Sequence, residues 1–336
     1  MFRQSMPPAL SALVISCVLA VSAAAHEIVG NRFFPATLAV DDPGVNDEAA
    51  ITLSATKLNG DDPSSAFRQL DIQGEFSKRI TEDFGISIGP IWSRLSAPGG
   101  PLGTGASGFQ NLETTFKYRL YKNIEHEFVM SAGLSIEWGG SGAQGVGAER
   151  FSHYVPTFYF GKGFGDLPDS LSFARPLAIT GVVGYSVPAT TAHMILDPAS
   201  GQPTGDTEFH ARVLQWGATL QYSMPYLKSA VVDLQLPDFI NHLIPIVEAS
   251  FQTPVANTLT SGTVMTGTVN PGLIYVGRTY QVGVEAMIPI NPQSGANVGV
   301  LAQLHLYLDD LFPRSIGRPL FADRTATATG RPTFGP

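Results

Sequence analysis

Apolar and polar residues alternate along most of the chain after residue 47, in runs longer than the about 5–6 residues of an average strand in a soluble domain. Leu112, Thr114, Phe116, Tyr118 and Leu120 share one face, and Glu113, Thr115, Lys117 and Arg119 share the other. The next run sets Phe128, Met130, Ala132, Leu134, Ile136 and Trp138 against Glu127, Ser131, Gly133, Ser135 and Glu137. Lys122 and Asn123 separate the two runs, which therefore form a hairpin. Further on, Val282, Val284, Ala286 and Ile288 oppose Gln281, Gly283 and Glu285. In the last run Val298, Val300, Ala302, Leu304, Leu306 and Leu308 oppose Gln303, His305, Tyr307 and Asp309, and Phe312 closes it. Weaker alternation at 50–57, 67–80, 84–92, 151–164, 173–185, 212–222, 239–252 and 269–276 brings the expectation to about twelve strands.

The connections alternate too. Stretches 81–83, 122–123, 165–169 and 277–279 are short, while 96–107, 139–149, 188–206 and 253–267 are long and rich in Gly, Pro and Ser. Alternating short turns and long loops belong to an antiparallel up-and-down barrel, and a soluble β-sandwich has no reason to keep them. The expected fold is therefore all-β, a transmembrane barrel over residues 48–313 with its apolar face to lipid and its polar face to the lumen. Trp92 and Trp138 end outward faces just before long loops, and Tyr118 sits outward near a short turn, as aromatic girdles require. One stretch, 224–237, is long where a short turn is due, and the pattern gives no physical account of it.

Composition sharpens this reading. Charged residues are 14% of the chain, against about 25% in soluble domains, yet no later segment is long and apolar enough for a membrane helix. Arg3, the apolar run Ala9–Ala20 and the small residues Ala23, Ala24 and Ala25 predict a cleavable secretory leader over 1–25. Cleavage would leave His26 at the mature N-terminus and remove Cys17, the sole cysteine, so closure of the barrel has to do what disulfides do elsewhere. The expected location is the outer membrane with both termini periplasmic, including a tail over 314–336. The expected partners are outer-membrane lipid, the barrel-insertion machinery and a small-molecule solute. A net charge of −8 argues against nucleic acid.

The lumen-lining candidates are Asp71, Glu75, Glu113, Lys117, Arg119, Glu127, Glu137, Arg212, Glu248, Glu285, His305 and Asp309. Carboxylates prevail among them. Such groups either favour cations in the pore or pair across the lumen and fill it. Residues 26–47 lack the strand pattern and form either a periplasmic arm or a plug, with Phe33, Phe34 and Leu38 as the side chains that would fill the lumen. No catalytic, cofactor or metal site is expected. The G-x-S-x-G match at 85–89 lies inside an alternating strand and lacks the strand-to-helix turn a nucleophile needs, and Ser152 and His153 are adjacent and so face opposite ways.

The stretches GFQNLETTFKYRLYK at 108–122, NPGLIYVGRTYQVGVEAMIPIN at 270–291 and NVGVLAQLHLYLDDLFP at 297–313 resemble the outer-membrane proteins described as phenol meta-degradation-pathway channels. The resemblance is diffuse elsewhere. It implies a transporter-like barrel for uptake of small, often aromatic, compounds, and it carries over no functional residue. The function expected is a channel for passive uptake of small solutes, aromatic or apolar ones included, without enzymatic activity. A lipid hydrolase-like enzyme and a structural or adhesive barrel are the alternatives.

Overall fold

The computed structural model describes residues 27–59, 67–96, 105–196 and 202–321. The leader expected over 1–25, His26 and the tail beyond 321 lie outside the described residues.

Strands that face lipid have no water to bond to, so every backbone group needs a neighbouring strand and the sheet has to close. The chain meets this with consecutive antiparallel pairing. Apart from the main sheet, β1 (Glu27–Val29) and β2 (Arg32–Phe34) form a small hairpin. The barrel then runs through β3 (Glu48–Leu58), β4 (Phe67–Arg79), β5 (Phe84–Gly89), β6 (Ile91–Ser96), β7 (Ser107–Phe109), β8 (Leu112–Asn123), β9 (Phe128–Trp138), β10 (His153–Gly163) and β11 (Leu177–Pro188). A second small hairpin, β12 (Ala192–Leu196) with β13 (Pro203–Phe209), stands in the next long loop. The barrel resumes with β14 (Arg212–Tyr222), β15 (Leu243–Ala256), β16 (Thr266–Val276), β17 (Tyr280–Pro289) and β18 (Gly299–Tyr307). Because β18 pairs with β3, the sheet closes on itself.

Pro90 has no N–H to give the ladder and divides one barrel strand into β5 and β6, both paired to β4. β7 and β8 are likewise two parts of one strand, divided at Gln110 and Asn111. The result is a closed twelve-stranded antiparallel barrel. Its faces sort as in a membrane barrel. Ile51, Leu53, Ile72, Phe158, Val183, Val284 and Leu304 are exposed on the outside, while Ser131, Thr180, Thr219, Glu248, Asn270 and Gln281 are buried inside.

Four expectations need correction. Phe173 lies in a 3₁₀ segment at 169–174, so β11 starts only at Leu177 and the short turn expected at 165–169 is a longer connection. Phe239 lies in a helical turn, Asp238–Asn241, and β15 begins at Leu243. The last strand ends at Tyr307; Leu308–Leu311 form a helical turn, which places Asp309 beyond the barrel wall and leaves Phe312 exposed outside any strand. Arg212 shares its strand face with Trp216 and Leu220, which are exposed, so it points outward and does not line the lumen.

The outward face yields a direct prediction. Val284→Arg, at the middle of β17, places a cation at mid-belt and is expected to cost about 2–4 kcal/mol. Urea unfolding in lipid vesicles should show that loss, and an unchanged midpoint would place Val284 away from lipid.

Candidate functional site

Residues 35–47 make no strand, so the backbone groups of this buried stretch need partners from elsewhere. They find them on the inner wall of the barrel. The backbone N–H groups of Leu38, Ala39 and Val40 donate to the Glu248 carboxylate at 2.7, 3.0 and 2.6 Å. Ser131 Oγ donates to the Pro43 carbonyl at 2.6 Å, and Gln281 Nε2 donates to that of Ala36. Lys117 Nζ donates to Asp41 at 2.8 Å and to the Asp42 carbonyl at 2.9 Å. Arg119 and Lys122 hold the buried Glu27 at 2.7 and 2.8 Å, and Lys78 and Arg79 hold Asp47. These partners stand on β4, β8, β9, β15 and β17, which lie around the barrel, so residues 27–47 occupy its lumen.

Apolar packing holds the same segment. Phe33 is buried against Ile244, Ile246, Ile274 and Tyr307, meeting the tyrosine ring edge-on at 6.4 Å, and Leu38 packs beside them. Phe34 is buried with Val29, Val129 and Ala178. Inward glycines give the room for close approach. A Cβ at Gly217 would sit 2.9 Å from Val40, and one at Gly283 would sit 2.6 Å from Leu38.

The end of the lumen that carries the short turns is sealed around Arg32. Its Nε lies 3.1 Å from Glu127 Oε2, its Nη1 donates to the Pro176 carbonyl at 2.9 Å and its Nη2 donates to that of Arg175. The guanidinium lies 3.9 Å from the Tyr226 ring centroid, and the Tyr226 hydroxyl donates to Glu127 at 2.9 Å. Tyr226 belongs to a helical turn at Met224–Tyr226 that continues as a π turn over Leu227–Val231. The connection too long for a simple turn thus supplies the cover over Arg32.

Toward the long loops a cavity of about 250 Å³ remains, with Asp41, Glu113, Glu137, His153 and Tyr159 in its lining. The Lys117 ammonium lies 4.5 Å from the Tyr159 ring centroid, beneath this space.

The lumen candidates divide by what they touch. Lys117, Arg119 and Glu248 hold residues 27–47, and Glu127 holds Arg32 from the turn before β9. Asp71 accepts from Ser93 at 2.6 Å, Glu137 from Asn111 at 3.0 Å, and Glu75 and Glu113 from nearby hydroxyls. His305 Nε2 is 3.1 Å from Glu48. Glu285 is buried on the inner face beside Glu248 and Asn270. Sequence patterning missed Glu27, Arg32, Asp41 and Tyr226. The one available signal was Arg32, the sole Lys or Arg between His26 and Asp47, set between apolar residues.

A closed antiparallel barrel with an apolar exterior and a polar interior defines a transmembrane β-barrel of the outer-membrane type. Among solved structures, the chain is similar to the COG4313 outer membrane channel from Pseudomonas putida F1, at 12% identity and a TM-score of 0.50, over 82% of this chain and 99% of that one. The KdgM porin aligns at 13% identity and a TM-score of 0.42 over 77% of this chain and 98% of that one. LpxR from Salmonella typhimurium aligns at 12% identity and a TM-score of 0.39 over 77% of this chain and 99% of that one. No family model and no curated protein matches the chain. At these identities the likeness shows the fold alone, and the phenol meta-degradation naming finds no support in it.

Asp309, in the helical turn beyond β18, gives a pH prediction. Burial pushes its carboxyl up to about 8, and Arg79, 3.6 Å away, offsets this only partly, while the neighbouring Asp310 and Asp47 add to it. A folded value above that of the unfolded chain means that the contribution to stability is full below about pH 4 and is lost as pH rises through 8. Asp309→Asn should therefore flatten the decline in urea midpoint between pH 4 and pH 8. A variant that declines as steeply as the native chain would place the titration elsewhere.

Proposed function

We propose that the chain is an outer-membrane channel for passive passage of small solutes, closed at rest by residues 27–47, with the long loops external and both termini periplasmic. The observation that carries this reading is the set of three consecutive backbone N–H groups, Leu38 to Val40, held by Glu248 from the barrel wall. A segment fixed by side-chain contacts, with no ladder to the barrel strands, can leave without opening the sheet. Its departure would expose inward carboxylates such as Glu75, Glu113, Glu137, Glu248 and Glu285, a lining that favours cations. It would also uncover Ile244, Ile246 and Ile274, which offer a surface to apolar or aromatic solutes.

A second reading has one observation behind it. His153 Nδ1 lies 3.2 Å from Ser186 Oγ, and its Nε2 contacts Glu149, a serine–histidine–carboxylate line beside the cavity. β11, which carries Ser186, is paired on both sides. Its backbone N–H groups are therefore spent on ladders, and β11 offers no paired donors to stabilise an acyl-transfer oxyanion. The channel reading ranks first.

Planar-bilayer recording separates the two. The mature chain should conduct rarely, and the same chain without residues 27–47 should conduct steadily with a preference for cations, neither form hydrolysing a short-chain ester. Absence of conductance in both, or ester hydrolysis that Ser186→Ala abolishes, would overturn the channel.

A further inference from the structure

The outward face carries charge only at its ends. Among the described residues, the outward positions of the barrel strands hold Lys57, Arg68, Arg94 and Arg212 at the long-loop end, and at the other end Lys162 and Lys78, whose ammonium turns back over the rim to Asp47, all cationic. Three of these form one patch. In the ladder Lys57 stands directly opposite Arg68, and Arg94 stands opposite Leu70, two residues along β4 on the same face. One row nearer the middle of the membrane lie Leu53, Ile72 and Trp92, also in register and outward.

Two physical facts make this arrangement informative. Like charges directly opposite on a sheet repel, so the Lys57–Arg68 pair is unfavourable unless an anion lies between them. No hydrogen bond or ion pair joins Lys57, Arg68 or Arg94 to another side chain among the described residues, and each side chain is at least partly exposed. The cations also begin about 7 Å beyond the tryptophan row, two residues at about 3.4 Å each. That is where an aromatic girdle gives way to lipid headgroups.

We propose that Lys57, Arg68 and Arg94 form a binding site for the phosphates of an outer-leaflet glycolipid of the lipid A type. Trp92 and the apolar row beneath hold its acyl chains. The three strands that carry the site, β3, β4 and β6, adjoin the seam where β18 closes the barrel on β3, so the lipid clamps the outside of that closure. This inference rests on the proposed orientation with long loops external, but not on the channel reading.

The test uses the full mature chain in detergent, titrated with lipid A and, separately, with lipid A stripped of its phosphates and with inorganic phosphate. Native mass spectrometry reads the bound fraction. The variant is Lys57→Gln, Arg68→Gln, Arg94→Gln together, with Lys162→Gln at the opposite end as control; heat-modifiable gel mobility checks that each has folded. The native chain and the control should retain lipid A, and the triple variant should bind it roughly a hundredfold more weakly, at about fivefold per cation. The dephosphorylated lipid and free phosphate should bind poorly to all. Equal retention of lipid A by the folded triple variant, or equal binding of the dephosphorylated lipid, would overturn the site. Surface labelling of Ser261→Cys on intact cells tests the orientation separately, since the titration in detergent is independent of it.

Discussion

The architecture depends on one constraint, that a polar group inside a closed barrel has to find its partner inside the barrel. Glu248 shows how this chain satisfies it. Its carboxylate is fully buried, and it accepts three successive backbone N–H groups from Leu38, Ala39 and Val40. Charge-assisted bonds of this kind are about twice as strong as neutral ones, and removing the acceptor would leave three buried donors unsatisfied. Arg32 repeats the logic with the sign reversed, since a buried guanidinium is tolerable only because Glu127, two carbonyls and the Tyr226 ring surround it. The segment and the wall are therefore a single polar unit, and neither is complete without the other.

The barrel itself was legible in the sequence because strand periodicity is local. Each outward residue from Leu112 to Leu120 declares its face through its immediate neighbours, and the alternation of short and long connections adds the topology. The occupied lumen was not legible in the same way. Nothing near Leu38 in the chain indicates that its N–H will meet Glu248, a residue 210 positions away. The inward Ile244, Ile246 and Ile274 interrupt the polar lining, and their sense emerges only when Phe33 is seen against them. Likewise the long 224–237 stretch looked anomalous as a turn and is explained by Tyr226, whose partner Arg32 comes from the opposite end of the chain. Arg212 and Asp309 were misplaced for simpler reasons. Arg212 follows its strand's parity to the outside, and Asp309 stands in the helical turn that begins where the last strand stops.

The division of labour around the barrel follows from the same contacts. The short-turn end is closed by apolar packing and by the Arg32 cluster, both buried. The long-loop end keeps a cavity bordered by Asp41, Glu113, Glu137 and His153, where charge remains in contact with solvent. Under the proposed channel reading, solute selection belongs to the cavity end and resistance to leakage to the buried one.

Hydrogen exchange at the amides of Leu38, Ala39 and Val40 tests the central claim most directly. In the reconstituted native chain these amides should exchange far more slowly than those of exposed loop residues such as Ser261, and Glu248→Gln should speed them markedly while leaving the amides of β4 and β9 protected. Exchange at the rate of a free segment in the native chain would contradict a lumen held shut by Glu248.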